Sequence, residues 1–366
     1  MRAATKYAAA LAALLIAATA AQADSGAPEL TVVSWGGAYE AAQCEAWFQP
    51  FTERTGIPVR VERYDGGLEG LREQVASGDV RWDLMDMTMS DTLAACREGL
   101  LMPLDHGRWP PAPDGTPAER DFIDGAFTRC GVTHTIYATV IAFDRRAFPG
   151  VRPDSVEALF DTERFPGRRA LQRTPAANLE WALLSYGVPR QEVYDLLSTE
   201  RGLKLAFERL SRIAGDIVWW QEGSQAPDLL AEGEVSMASG YNGRFFHAAV
   251  TEGAPIEIIW DGQIQERETW AIPRGAPHRE AAVQFIRFAT TSERLAELAR
   301  RIPYGPARRS ATRRVSTHIG TGIDMRPHLP THPINARYAV RKDVDWYART
   351  YHRIRDRFRR WLGARD

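Results

Sequence analysis

Cysteine is scarce in this chain: Cys44, Cys96 and Cys130 are the three among 366 residues. No Cys-x-x-Cys occurs and no His/Cys spacing suits zinc, so no metal site is expected. Net charge is equally scarce. It is −1 overall and −3 once Arg2 and Lys6 are removed with a leader, which argues against nucleic acid as a partner. Beyond the first twenty positions no run of ~18 apolar residues appears, so nothing later reads as a membrane span. Gly-x-Ser-x-Gly is absent. The eight histidines, among them His106, His134, His247 and His278, are scattered without ligand spacing. An enzyme built on a nucleophile elbow, a His–carboxylate pair or a metal is therefore not expected, nor is a cofactor.

What is present begins with a leader. Arg2 and Lys6 precede the apolar Ala8–Ala20, which falls short of the roughly 20 residues of a spanning helix. Ala21-Gln22-Ala23 is a small-x-small cleavage site before Asp24, so residues 1–23 read as a secretory signal peptide and the destination as the periplasm. No Cys stands at the cleavage point, so no lipid anchor is expected. An exported chain permits disulfides. Three thiols allow at most one internal pair, and Cys96 and Cys130, flanking the loop-rich Glu98–Arg129, are expected to form it. Cys44 falls in the first helix and reads as a small buried hydrophobe.

The stretch Leu30–Met87 carries the clearest pattern. The apolar run Leu30–Ser34 ends at Trp35-Gly36-Gly37 and opens a helix over Ala38–Arg54, with Ala42, Ala46, Trp47 and Phe51 near one stripe. Strands over Val59–Arg63 and Leu84–Met87 follow, separated by a helix over Gly67–Ser77. This is a strand–helix–strand repeat whose ligand-facing turn lies at the carboxyl end of the first strand. Thr135–Phe143 reads as a strand crossing between lobes, and Glu268–Ile272 as one crossing back. Strands over Ile217–Trp220, Val235–Ser239 and Ile256–Trp260 alternate with helices over Asn178–Gly187, Leu203–Ile213 and Ser224–Glu232. Asp343–Trp361 forms a last helix with an apolar stripe of Tyr347, Tyr351, Ile354, Phe358 and Trp361. A mature chain of about 340 residues exceeds what one core usually holds, so two lobes are expected.

With Ser34-Trp35-Gly36-Gly37-Ala38-Tyr39, Pro50–Gly56, Trp82-Asp83-Leu84, Gly240–Arg244, Trp270–Ala276, Ala281–Phe288 and Ile302–Pro306 in this order, the chain resembles the periplasmic solute-binding proteins of ABC importers. It is most similar to the group containing the spermidine/putrescine-binding proteins. The resemblance implies a two-lobed α/β periplasmic-binding-protein fold with a ligand cleft between lobes joined by crossing strands. The first lobe would hold residues 24–140 and 272–305, the second residues 141–271 and 306–366. It also implies a monomer that hands a small-molecule ligand to an ABC permease in the inner membrane.

For the ligand, the resemblance implies a small organic cation of polyamine type, since aromatic faces attract cations and a buried ammonium needs a partner. Carried over motif by motif, Trp35 and Tyr39 fall in the aromatic region after the first strand, Tyr241 on a stacking aromatic, Glu268 on a carboxylate and Tyr304 on a cleft tyrosine. The group's two further carboxylates are not matched: Thr174 and Ala177 stand near those places, and the nearest acid is Glu180. Read directly, Gly36 and Gly37 form either a tight turn or a set of N–H groups for ligand. Strand alternation favours Trp220 over Trp219 at the cleft. Asp86, an acid within an apolar strand, faces ligand or is a satisfied structural group. The alternatives are thiamine or its phosphates, or a small anionic or zwitterionic solute bound by Arg244 and the Gly36-Gly37 turn. A ferric-ion binder of similar fold would want adjacent tyrosines, and no Tyr-Tyr pair occurs.

Overall fold

The computed structural model describes residues 29–363; the expected leader, residues 1–23, lies outside them. β1 (Leu30–Ser34) is buried along its whole length, because Leu30 and Val32 enter one core and Val33 another. It runs parallel to β2 (Val59–Arg63) and to β3 (Leu84–Thr88). Between β1 and β2 the chain forms α1 (Gly37–Gln43), a π-helical turn at Cys44–Phe48 and α2 (Gln49–Thr55). The expected stripe Ala42, Ala46, Trp47 and Phe51 is buried on this helix. α3 (Glu69–Ser77) precedes β3, and α4 (Met89–Arg97) follows it without a loop.

Two long strands make the frame. β4 (Gly131–Asp144) has 14 residues, and β8 (Ile256–Ala271), numbered with the strands between them below, has 16. At about 3.3 Å per residue, β8 extends for roughly 50 Å, enough to pass from one core into the other. The expectation of two separate strands, at Ile256–Trp260 and Glu268–Ile272, is thus corrected to one continuous strand. Polar Gln263, Gln265 and Glu266 hide it from a hydrophobicity pattern. They belong to the crossing, where polar neighbours receive them: Gln263 and Gln265 both donate to the carbonyl of Pro330. β5 (Arg169–Gln172), β6 (Ile217–Trp220) and β7 (Met237–Tyr241) complete the path β2-β1-β3-β8-β4-β7-β5-β6 within an 11-stranded sheet. β8 is antiparallel to both β3 and β4.

One core gathers Trp47, Phe51, Trp270 and Phe285, the last on α8 (Arg279–Ala289), with a second cluster around Val33, Met85 and Leu101 on the opposite side of the sheet. The other core holds Leu171, Trp181 on α5 (Asn178–Leu184), Leu210 on α6 (Glu200–Ile213) and Phe358 on α10 (Val344–Gly363); α7 (Asn242–Phe246) and α9 (Ser292–Ala299) lie between these helices in sequence. Ala307 and Ala311 belong to the first core, and Gly305–Pro306 pairs with β4 at Thr135 and Ile136. Trp270 also packs there, so the end of β8 and the stretch just after 305 pack with the first core, whereas Val340, Trp346 and Phe358 further on pack with the other. Each half of a crossing strand packs at its own end. On α10, Tyr347, Ile354 and Phe358 are buried, with Tyr351 and Trp361 packed against the same cluster.

Cys96 and Cys130 are joined in a disulfide with a Cα–Cα distance of 5.8 Å, fastening the end of α4 to the start of β4. Cys44 is free and half-buried. No helix among the described residues is long and apolar enough to cross a membrane.

Candidate ligand cleft

A cavity of about 590 Å³ lies where β4 and β8 pass between the cores. Trp35, Gly67, Ser90 and Asp91 line it from the first lobe, and Gln172, Thr174, Ala177 and Tyr241 from the second. Tyr137 and Glu266 enter from the crossing strands, and Lys342, Tyr347 and Arg355 from the carboxyl-terminal segment.

Local chemistry explains how these side chains arrive. Thr88 ends β3, and its hydroxyl accepts the backbone N–H of Asp91 at 3.1 Å, an N-cap that starts α4 and turns Ser90 and Asp91 into the cleft. Glu266 on β8 accepts hydrogen bonds from Ser90 (2.5 Å) and Tyr137 (2.9 Å), and Lys342 Nζ lies 2.5 Å from it. Burial, reinforced by Glu266, pushes the Asp91 carboxyl up, with Lys342 opposing. Burial by itself would lower Lys342, but Glu266 outweighs that and holds the ammonium above its ordinary value. Ala177 adopts φ 66°, a left-handed conformation unusual for a residue with a Cβ, at the entry to α5 beside the cavity.

Of the ten residues singled out from the sequence, Trp35 and Tyr241 form the cavity wall. Trp35 lies against Tyr64 with ring centroids 4.6 Å apart, and its buried Nε1 has no hydrogen-bond partner among the described residues. Tyr241 accepts from Gln172 at 3.2 Å. Trp220 sits behind Tyr241, edge-on at 6.0 Å and buried, with its Nε1 donating to Ser239; it backs the wall and does not form it. Trp219 turns to the other face, against Phe358 and Trp361.

Asp86 is fully buried and accepts from Tyr39 (2.9 Å) and Gln43 (2.6 Å), with His134 Nε2 at 3.0 Å. Tyr304 packs on Tyr39 at 5.1 Å. Glu268 lies beside Asp86, and burial followed by repulsion from Asp86 and Glu266 raises its carboxyl well above the ordinary value. Glu180 is buried under Tyr194 and Tyr347, accepting from both hydroxyls, and so positions Tyr347 at the cavity. Gly36 and Gly37 both have positive φ. Their turn receives Arg244, whose Nη2 donates to the carbonyls of Trp35 (2.9 Å) and Gly36 (3.2 Å). A Cβ on Gly37 would come within 2.3 Å of Arg244 Nη1.

Sequence reasoning did not single out Ser90, Asp91, Tyr137, Glu266, Lys342 and Tyr347, which line the cavity. Thr88-x-x-Asp91 is a capping signature that points to Asp91. Glu266, two residues before Glu268, shares its strand face. Nothing local points to Lys342.

A two-lobed α/β frame with a polar, aromatic cleft at the crossing is a plan for enclosing a small solute. The family model described as bacterial extracellular solute-binding protein matches residues 46–331. The chain belongs to this family. It is the solute-binding component of an ABC transporter and not an enzyme. This solute-binding protein is 34% identical over 344 residues to the gamma-aminobutyric acid-binding protein of Pseudomonas aeruginosa, covering 94% of this chain and 93% of that one. It is 22% identical over 291 residues to the spermidine/putrescine-binding periplasmic protein of Escherichia coli, covering 77% and 80%. Among solved structures, the PBP MotA from A. tumefaciens B6 in complex with glucopine superposes with a TM-score of 0.82 at 28% identity, covering 91% of this chain and 99% of that one. A GABA receptor structure gives 0.76 at 28% identity, covering 91% and 97%.

Proposed function

We propose that this solute-binding protein captures a small zwitterionic amino acid of the γ-aminobutyrate type in the interlobe cleft and delivers it to an inner-membrane permease, working in the periplasm as a monomer. The observation that carries the reading is that carboxylates and cations line the same cavity. Asp91 offers an acceptor for an ammonium, beside Glu266, which is paired with Lys342; Lys342 and Arg355 offer donors for a carboxylate; Trp35, Tyr137 and Tyr241 supply aromatic surface for the carbon chain. The likeness to a gamma-aminobutyric acid-binding protein supports the same chemistry.

A polyamine is the second reading. It is favoured by the five acids Asp86, Asp91, Glu180, Glu266 and Glu268 gathered around or behind the cleft. Against a long polyamine, Thr174 and Ala177 line the wall where the polyamine binders place acids. A thiamine-type ring cation has only the aromatic wall in its favour and is not proposed.

Thermal shift followed by calorimetry on the chain from Asp24 tests this, with γ-aminobutyrate, putrescine, spermidine, betaines and small dicarboxylates. A ligand at 100 times its Kd stabilises by about 2.7 kcal/mol. We expect that response with γ-aminobutyrate, and its loss in Tyr241→Ala. A response to spermidine with silence toward γ-aminobutyrate refutes the reading in favour of the second.

A further inference from the structure

Lys342 brings an ammonium group into the acid cluster of the cleft, and its position is built rather than incidental. The short strand Val340–Arg341 pairs in parallel with β8 at Ile264 and Gln265, and the Lys342 N–H donates to the Gln265 carbonyl at 2.9 Å. This register sets the lysine beside Glu266, the next residue of β8. Its Nζ lies 2.5 Å from Glu266 Oε2 and 4.4 Å from the centre of the Tyr347 ring, and its side chain is 13% exposed. The cation is therefore held by an ion pair, an aromatic face and a strand pairing at once, while still facing the cavity.

We infer that Lys342 is a specificity-determining residue, a counter-ion supplied by the protein that occupies the place of one ligand ammonium at Glu266 and so selects zwitterions against dications. The inference rests on the zwitterion reading above and deepens it. A ligand with one ammonium has Asp91 to bind, and its carboxylate gains from the nearby lysine. A diamine brings a second ammonium toward a carboxylate already neutralised. Like charges in a partly dry site repel far more than in water, and an ammonium left unpaired there is costly. Removal of the lysine frees Glu266, which then needs a cation.

The test is calorimetric titration of the full chain and of Lys342→Met and Lys342→Arg with γ-aminobutyrate and with putrescine, with folding checked by circular dichroism. In Lys342→Met we expect putrescine to bind at least 10-fold more tightly and γ-aminobutyrate at least 10-fold more weakly, with the parent order kept in Lys342→Arg. A folded Lys342→Met with unchanged or weaker putrescine affinity overturns the inference. Glu266→Gln gives an independent check should Lys342→Met not fold: it leaves the cation and removes its partner, so putrescine affinity should fall at least 10-fold below the parent. A gain overturns the role. Failure of the parent to bind γ-aminobutyrate sinks the zwitterion reading alone, because the putrescine arm still decides what Lys342 does.

Discussion

The Cys96–Cys130 bond closes a loop of 34 residues, and removing it in a Cys96→Ala/Cys130→Ala variant is a perturbation whose size follows from that loop. In the chain-entropy account, a crosslink restricts the unfolded ensemble by about 12.6 cal/mol/K for this loop length, or about 3.8 kcal/mol at 25 °C. An unfolding entropy of about 2.1 cal/mol/K per residue gives roughly 0.7 kcal/mol/K for a chain of this size. The expected fall in Tm is then about 5 °C. The effect reaches the cleft as well, because α4, which presents Ser90 and Asp91, ends at this bond. Differential scanning calorimetry of parent and variant, each with and without reductant, is the assay. Reductant should lower the parent to the variant and leave the variant unmoved. A parent indifferent to reductant, or a variant within 1 °C of the oxidised parent, would refute the reasoning (the loop would then be held by packing in the unfolded ensemble).

Other perturbations read the site and the cores. Gly37→Ala places a Cβ within 2.3 Å of Arg244 Nη1 at a φ of 61°; the strained backbone alone costs about 1–2 kcal/mol, and ligand affinity should drop about 10-fold, which unchanged calorimetric binding would contradict. Trp181→Ala empties a fully buried site and orphans the Gly262 carbonyl, which accepts from Trp181 at 2.8 Å; a loss of about 3–5 kcal/mol is expected from chemical denaturation, and one below 1 kcal/mol would argue against the packing described. Glu268 has a raised carboxyl, so the folded chain keeps a proton that the unfolded chain loses above about pH 4.3. Stability from that group is full below this value and falls as pH rises toward the folded value. The Tm of Glu268→Gln relative to the parent should therefore climb between pH 4 and pH 8, and a constant difference would show that the carboxyl is not displaced.

Much of the fold is written locally. The β1–α1–β2 unit, the stripe of the last helix and the strand Ile217–Trp220 follow from periodicity and turn residues, since which face is apolar is decided within a few residues of chain. Trp35 and Tyr241 were legible as wall residues through the resemblance, on the motifs Ser34–Tyr39 and Gly240–Arg244. The remaining parts of the cleft were set by distance in sequence. β8 carries polar residues through its middle because other segments meet them there. Asp86 was an acid in an apolar run until Tyr39, Gln43 and His134 closed around it. Glu180 became a support for Tyr347, 167 residues away. Lys342 reaches Glu266 across 76 residues. Periodicity tells a side chain which way to point from its own element. Which charge it meets depends on where another element passes, and that the tertiary structure alone decides.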